Sequence, residues 1–272
     1  MRKLTAITAA AAALLALAAC GGESGTATAA ADNPYKLLQP GTLRAGTLTD
    51  APPNVYLKDG KFTGFDNDLL TAVATRAGLK VEFVGTDFSA LLSQVANKKF
   101  DVGSSSITVT EARKKTVDFT NGYDFGYLGL DVPAGSPIKS FSELAGKRVV
   151  VVQGTVQDDY ATQNNLNPVR VPDYNGAVNQ LKAKTADAWI SPAEIGEKSA
   201  KDSNGKIQLV EKQLSSAPTA FAVAKDNPAL REALNKALDQ VIQDGTWKKL
   251  LDQYYPGRPI PDSFKPGSQG QG

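Results

Sequence analysis

Apolar residues recur along this chain in two alternating periods. Leu43 to Leu48 and Val81 to Val84 are short runs of strand length. Each is followed by apolar positions at helical spacing: Leu69, Leu70, Val73, Ala74 and Ala77 in the first case, Leu91, Leu92, Val95 and Ala96 in the second. Asp66 and Asp87 stand where they can cap these two helices. The pattern continues with "RVVVVQGT" (148–155), a buried strand running into a glycine turn, a short strand at Val169 to Val171, a helix over Tyr174 to Lys182 and a strand at "ADAWI" (186–190). An amphipathic helix over 228–245, ended by Gly245, and a second at Trp247 to Tyr254 complete the series. Strands alternating with helices predict an α/β architecture with mostly parallel sheets.

One stretch departs from simple patterning. After Phe100 to Gly103, the segment "SSSITVTEAR" (104–113) places five hydroxyls in seven positions and then an arginine. Thr108 or Thr110 can cap a short helix entering at Glu111, and Thr108 with Glu111 fits a capping box. That accounts for one hydroxyl of the five. Arg113 is either a solvated helix residue beside Lys114 and Lys115 or a carboxylate-binding group, since its planar guanidinium can give two parallel hydrogen bonds.

The ends of the chain have a different composition. "MRKLTAITAAAAALLALAAC" has two cations, an uncharged apolar stretch and small residues before Cys20, which predicts a secretory signal at 1–19. Its ending resembles a bacterial lipobox, in which the cysteine is lipidated; Cys20 is the single cysteine of the chain, so no intramolecular disulfide is expected. Residues 20–40 are expected to be the lipidated cysteine and a flexible tether, and 257–272, rich in Pro and Gly, a loose tail. No later run approaches the ~20 apolar residues of a spanning helix. Removing Arg2 and Lys3 with the signal takes the 30 Lys and Arg to 28, against 28 Asp and Glu. The remaining chain is neutral, and no basic patch suggests nucleic acid. The absence of histidine excludes His-based general bases, His metal sites and Ser-His triads, and neither a Walker loop nor a dinucleotide fingerprint is present. No cofactor and no metal are expected.

The stretch "GKFTGFDNDLLTAVATRAGLKVEFV" (60–84) resembles the family 3 extracellular solute-binding proteins, the amino-acid-binding subunits of ABC importers. Gly64, Phe65, Asp66 and Asp68 match the signature; Asn67 replaces its usual apolar residue. Four further segments follow in family order, at 100–120, 140–155, 186–190 and 221–255. The resemblance implies two α/β lobes of the type II periplasmic-binding-protein fold, each a mixed sheet flanked by helices and joined by two hinge crossings. Lobe 1 is projected at 41–126 and 222–256, and lobe 2 at 127–221. Ligand would lie in the cleft and be captured by hinge closure.

By the same resemblance, Arg113 binds the ligand's α-carboxylate, and Ser105, Ser106 and Thr108 ring the carboxylate and the ammonium. Phe88 packs on the ligand side chain, or is simply a core contact of its helix. Thr155, Val156 and Gln157 close on the carboxylate from lobe 2; Val156 stands in place of a common threonine. Two departures bear on the ligand. Relatives that bind α-amino acids pair the ammonium with an aspartate whose aligned position here is Pro192, leaving Glu194 and Asp50 as substitutes. In the first loop, Ala51 and Asn54 stand where relatives carry aromatics. The expectation is a monomeric lipoprotein, held by lipid on Cys20 at the outer face of the bacterial cell membrane, which delivers a polar amino acid or close carboxylate relative to ABC permease subunits. The alternative is a cyclohexadienyl dehydratase-like enzyme on the same fold.

Overall fold

The structure, a computed structural model, describes residues 33–260. The expected signal at 1–19, Cys20 and residues 261–272 lie outside the described residues. The chain runs through β1 (Thr42–Thr47), β2 (Asp50–Ala51), β3 (Val55–Lys58), β4 (Lys61–Thr63) and α1 (Phe65–Arg76). β5 (Lys80–Gly85), α2 (Phe88–Ala96), β6 (Val102–Thr108), the four-residue helix α3 (Glu111–Lys114) and β7 (Asp118–Phe119) follow. A long strand, β8 (Asp124–Pro133), leads to β9 (Val149–Val152), α4 (Val156–Gln163), β10 (Val169–Val171), α5 (Tyr174–Lys182), β11 (Ala188–Pro192) and α6 (Ala193–Asp202). The longest strand, β12 (Ile207–Val223), returns the chain to α7 (Pro228–Gln243) and α8 (Thr246–Tyr254).

The main sheet has the order β10-β9-β11-β8-β12-β6-β1-β5, with β7 beside β12; β2, β3 and β4 form a separate small sheet. β1 is parallel to β5 and β6, and β9 is parallel to β10 and β11, so each end of the order is a parallel α/β unit. β8 and β12 are antiparallel to each other and link the two units. At one end of β12 Ile207 opposes Pro133 of β8, and at the other Val223 opposes Val102 of β6. Its register shifts between Leu209 and Glu211, between Leu214 and Pro218, and between Ala220 and Ala222. Such bulges bend and twist a strand, which lets one continuous pairing path turn from one lobe into the other.

Each lobe buries its own core. In the first, Leu69, Leu70 and Val73 of α1 pack with Leu234, Leu238 and Val241 of α7 and Trp247 of α8; each such aliphatic side chain contributes roughly 1.5–3 kcal/mol on burial. The Trp247 indole N–H donates to the Tyr123 carbonyl at 2.8 Å, tying α8 to the residue before β8. In the second lobe Val149 and Val151 pack with Leu130, Phe141 and Ile190. A third cluster joins Phe88 and Leu91 of the first lobe to Tyr174 and Trp189 of the second, so the lobes are closed on one another.

Four expectations are corrected here. Gly64, not Asp66, occupies the cap position of α1; Asp66 is the second helical residue and is fully buried. Asp87 does stand at the cap of α2, but its side chain makes no cap hydrogen bond. Residues 33–40 are docked rather than tethering: Leu37 is in the core, the Leu38 amide donates to Asp101 at 3.0 Å, and Asn227 donates to the Tyr35 carbonyl at 2.7 Å. The described start of the tail is also docked, with Ile260 packed against the first core and Arg258 drawn inward.

Candidate functional site

A cavity of about 590 Å³, counting its open mouth, lies between the lobes. It sits beyond the carboxyl ends of parallel strands β1, β6 and β9, where open α/β sheets present loops and helix starts to a ligand. Nine of the ten predicted residues line it: Phe88, Ser105, Ser106, Thr108, Arg113, Thr155, Val156, Gln157 and Glu194. Asp50 does not. Its carboxylate accepts the Asn175 amide at 2.9 Å, in a contact between β2 and α5 outside the cavity.

Arg113 is placed by a local device. Thr110, not Thr108, caps α3 by accepting the Arg113 amide at 3.2 Å, and the single turn carries the side chain back over the end of β6. Its Nη1 donates to the Thr108 carbonyl at 2.8 Å and its Nη2 to the Gly154 carbonyl at 3.0 Å, across the cleft. The guanidinium also lies over the Phe88 ring, 5.1 Å from its centroid. Burial lowers its pKa, but guanidinium stays protonated in proteins. Two of its five N–H groups are spent on these carbonyls, which leaves donors for an anion. Phe88 belongs to the shared core cluster and also lines the cavity, so both readings of it describe its position.

The hydroxyl run divides among several tasks. Ser104 is fully buried, and its hydroxyl has no hydrogen-bond partner among the described residues. Ser105 donates to the Ser104 carbonyl at 2.6 Å and accepts the Leu48 amide at 3.1 Å, fixing the first loop. Ser106 has a φ of +46°, a conformation that costs a non-glycine residue on the order of 1 kcal/mol or more. In return its hydroxyl donates to Asp66 at 2.5 Å and accepts from Asn54 at 2.7 Å. Tyr123 donates to the other Asp66 oxygen at 2.6 Å, and Tyr255 donates to Asn54 at 2.9 Å. Burial raises the Asp66 pKa to about 6 against these hydrogen bonds. Gly64 (φ +113°) makes the network possible, because a Cβ there would meet the Asn54 carbonyl oxygen at 2.4 Å.

The opposite wall is the start of α4. Thr155 caps it, donating its hydroxyl to the Val152 carbonyl at 2.7 Å and accepting the Asp158 amide at 3.3 Å. Its hydroxyl is thus committed to the turn, while first-turn amides of a helix have no intrahelical acceptor and favour an anion. Gly154 (φ +77°) allows the turn to approach α2, since a Cβ there would lie 3.3 Å from the Ser89 Cα.

Pro192 also lines the cavity, at the start of α6, and two residues on Glu194 is the carboxylate that does so. Burial raises the Glu194 pKa, opposed by Arg258. Asp124, behind it, is pushed up to about 7 by burial, again opposed by Arg258. Among the described residues no group of three His, Cys, Asp or Glu is disposed to hold a metal.

Sequence reasoning missed Tyr127, Tyr174 and Arg258. Tyr174 was legible in principle: Asp173 caps α5 by accepting the Gly176 amide at 2.7 Å, which places Tyr174 in the first turn at the cavity wall. Tyr127, on the crossing strand β8, carried no comparable signal.

The family model for bacterial extracellular solute-binding proteins, family 3, matches residues 43–257. The probable amino-acid-binding protein YxeM of Bacillus subtilis (strain 168) is 29% identical over 94% of this chain and 96% of its own. The lysine/arginine/ornithine-binding periplasmic protein of Escherichia coli (strain K12) is 31% identical over 79% of this chain and 88% of its own. The solved structure of an ancestral arginine-binding protein bound to arginine is 33% identical and superposes with a TM-score of 0.75, covering 79% of this chain and 98% of that one. Motif order, the two-lobed sheet and the family match agree: the chain belongs to the family 3 bacterial extracellular solute-binding proteins.

Proposed function

We propose that this protein is the lipid-anchored, extracytoplasmic binding subunit of an ABC importer, and that it captures a polar amino acid or a close carboxylate relative by hinge closure. Arg113 carries the reading: a buried guanidinium at a cavity wall, with donors to spare, facing the start of a helix across the cleft. The projected lobes, 41–126 with 222–256 and 127–221, put Arg113 and the α4 turn on opposite sides of the hinge. Arg113, Ser105, Ser106, Thr108 and Phe88 take the ligand in the open form; the turn at Thr155, Val156 and Gln157 adds contacts made on closure. Ligand favours the closed state by the free energy of those added contacts. The Arg113 bond to the Gly154 carbonyl belongs to the same closed arrangement. The relatives' amino-acid ligands support the same chemistry.

Glu194 is the group to receive the ligand's ammonium in place of the acid missing at Pro192. Arg258 meets it only at 3.5 Å, the long end of an ion pair, so its carboxylate is not tightly committed. A thermal-shift panel pairing each amino acid with its des-amino and 2-oxo counterparts tests this. Ligand at about 100 times its Kd adds ~2.7 kcal/mol, roughly 5–10 °C for a chain of this size. The amino acid is expected to give the shift and its des-amino counterpart a smaller one, with Glu194→Gln narrowing the difference by about tenfold in affinity, ~1.4 kcal/mol. Equal shifts for both members of a pair would remove ammonium recognition from the proposal. The anchor has its own test: Cys20→Ser is expected to move the exported protein from the membrane to the soluble fraction. Retention of that variant in washed membranes would argue against lipidation.

A further inference from the structure

Arg258 lies one residue beyond the family match, in a segment whose composition predicts a loose tail. Its side chain is only 12% exposed. Nη1 pairs with Asp124 at 2.9 Å, and Nη2 reaches Glu194 at 3.5 Å and donates to the Phe125 carbonyl. The guanidinium lies over two rings, 4.9 Å from the Tyr255 centroid and 5.6 Å from that of Tyr127. The backbone holds it there: the Arg258 amide donates to the Tyr255 carbonyl at 3.1 Å, and Ile260 packs on the first core.

Two carboxylates, a carbonyl oxygen and two aromatic faces are what recognises a planar cation. Glu194 and Tyr127 belong to this set and to the cavity wall, so the Arg258 slot and the ligand cavity share a partition. Asp124 and Phe125 begin β8, the strand that crosses between the lobes, which puts the slot at the hinge end of the cavity. We propose that Arg258 is a specificity-determining residue: it fills a guanidinium slot with the chain's own cation and so excludes ligands bearing a second positive charge. The proposal rests on the amino-acid reading above. Glu194 serves the α-ammonium in the reading above, so the exclusion acts farther along, at the close Arg258–Asp124 pair. With Arg258 in place, a cationic ligand side chain extending past Tyr127 would meet the guanidinium that lies over that ring, in a poorly screened space. Without it, Asp124 would be a buried acid that has lost its close cation, a state proteins avoid at considerable cost. A basic ligand would then supply the missing charge.

L-arginine and L-citrulline test the exclusion, because they share length and shape and differ in the charge of the terminal group. Affinities are measured by calorimetry for the full chain and for Arg258→Gln, which retains a polar side chain. Wild type is expected to bind citrulline at least as well as arginine, and Arg258→Gln to raise the arginine-to-citrulline affinity ratio at least tenfold; if wild type binds neither, the expected gain is arginine binding in the variant. An unchanged ratio, failure of the variant to gain arginine, or a wild-type preference for arginine overturns the exclusion. The slot is tested separately with N-ethylguanidinium chloride, which is expected to raise the melting temperature of Arg258→Ala and to leave wild type unmoved. If Arg258→Ala does not fold alone, recovery of its folded signal on adding N-ethylguanidinium is the same readout. No stabilisation of the truncated variant overturns the slot. Stabilisation by ethylguanidinium, with no amino acid shifting wild type or Arg258→Gln, leaves the slot standing and overturns the amino-acid reading instead.

Discussion

Arg113→Ala is expected to weaken binding of the native ligand by at least about 100-fold, ~2.7 kcal/mol. Truncating one partner of a buried, hydrogen-bonded charge pair costs 2–5 kcal/mol or more, because the partner charge stays buried and unpaired. Here that partner would be the ligand carboxylate, between the end of β6 and the start of α4. Arg113→Lys should recover little, since an ammonium cannot reproduce the forked geometry that reaches the Thr108 and Gly154 carbonyls at once. The unligated variant loses those two bonds as well, so its melting temperature should fall modestly. The diagnostic quantity is the ligand-induced shift, which should nearly vanish. Calorimetry finding Arg113→Ala as tight as wild type would end the carboxylate reading.

Much of the fold was legible where local signals and tertiary demands coincide. β10 and α5 appear over the predicted residues, and α7 and α8 begin and end within two residues of prediction, because caps, apolar spacing and Gly245 (φ +81°) all agree there. The two crossing strands were not read as strands. β12 contains Glu211, Lys212 and Pro218 and exposes Leu214, so no period-2 pattern marks it; pairing with β8 on one side and β6 on the other supplies its stability. α6 was missed for a related reason: "AEIGEKSAKD" offers Ile195 as its one large aliphatic residue and has Gly196 in its interior. That glycine is required, since a Cβ would lie 2.2 Å from an Asp131 oxygen. The site was more legible than its surroundings, because motif order carries lining residues directly. Asp50 failed because a two-residue strand directs it to α5. Arg258 was invisible because composition describes a segment's own preferences and says nothing of acids waiting more than sixty positions earlier, at Asp124 and Glu194.

Those acids are not the only buried carboxylates, and Asp131, held by a single side-chain hydrogen bond from Ser191, makes the second large prediction. Asp131 of β8 is fully buried; one oxygen accepts the Ser191 hydroxyl at 2.5 Å and the other has no hydrogen-bond partner among the described residues. Burial raises its pKa from 3.8 to about 7, the Ser191 bond opposes this and the nearby Glu197 charge adds to it. The folded-state value lies above the unfolded one, so the unfolded chain releases this proton first as pH rises. Stability contributed by the neutral acid is therefore complete below about pH 4, declines between about 4 and 7, and is gone above about 7. At 1.36 kcal/mol per pKa unit the loss is about 4 kcal/mol at most. Asp66 and Asp124, raised to about 6 and about 7, slope the same way, so the wild-type profile alone does not isolate Asp131. Asp131→Asn does, because it keeps an oxygen for Ser191 and cannot ionise. The variant is expected to match or fall slightly below wild type at pH 4.5 and to exceed it by several kcal/mol at pH 8, read from denaturant midpoints. Parallel pH profiles would mean the charge is accommodated after all. Since Ser191 sits in β11 just before Pro192, the same charge loads the strand end that delivers Glu194 to the cavity, and ligand affinity above pH 7 should depend less on pH in the variant.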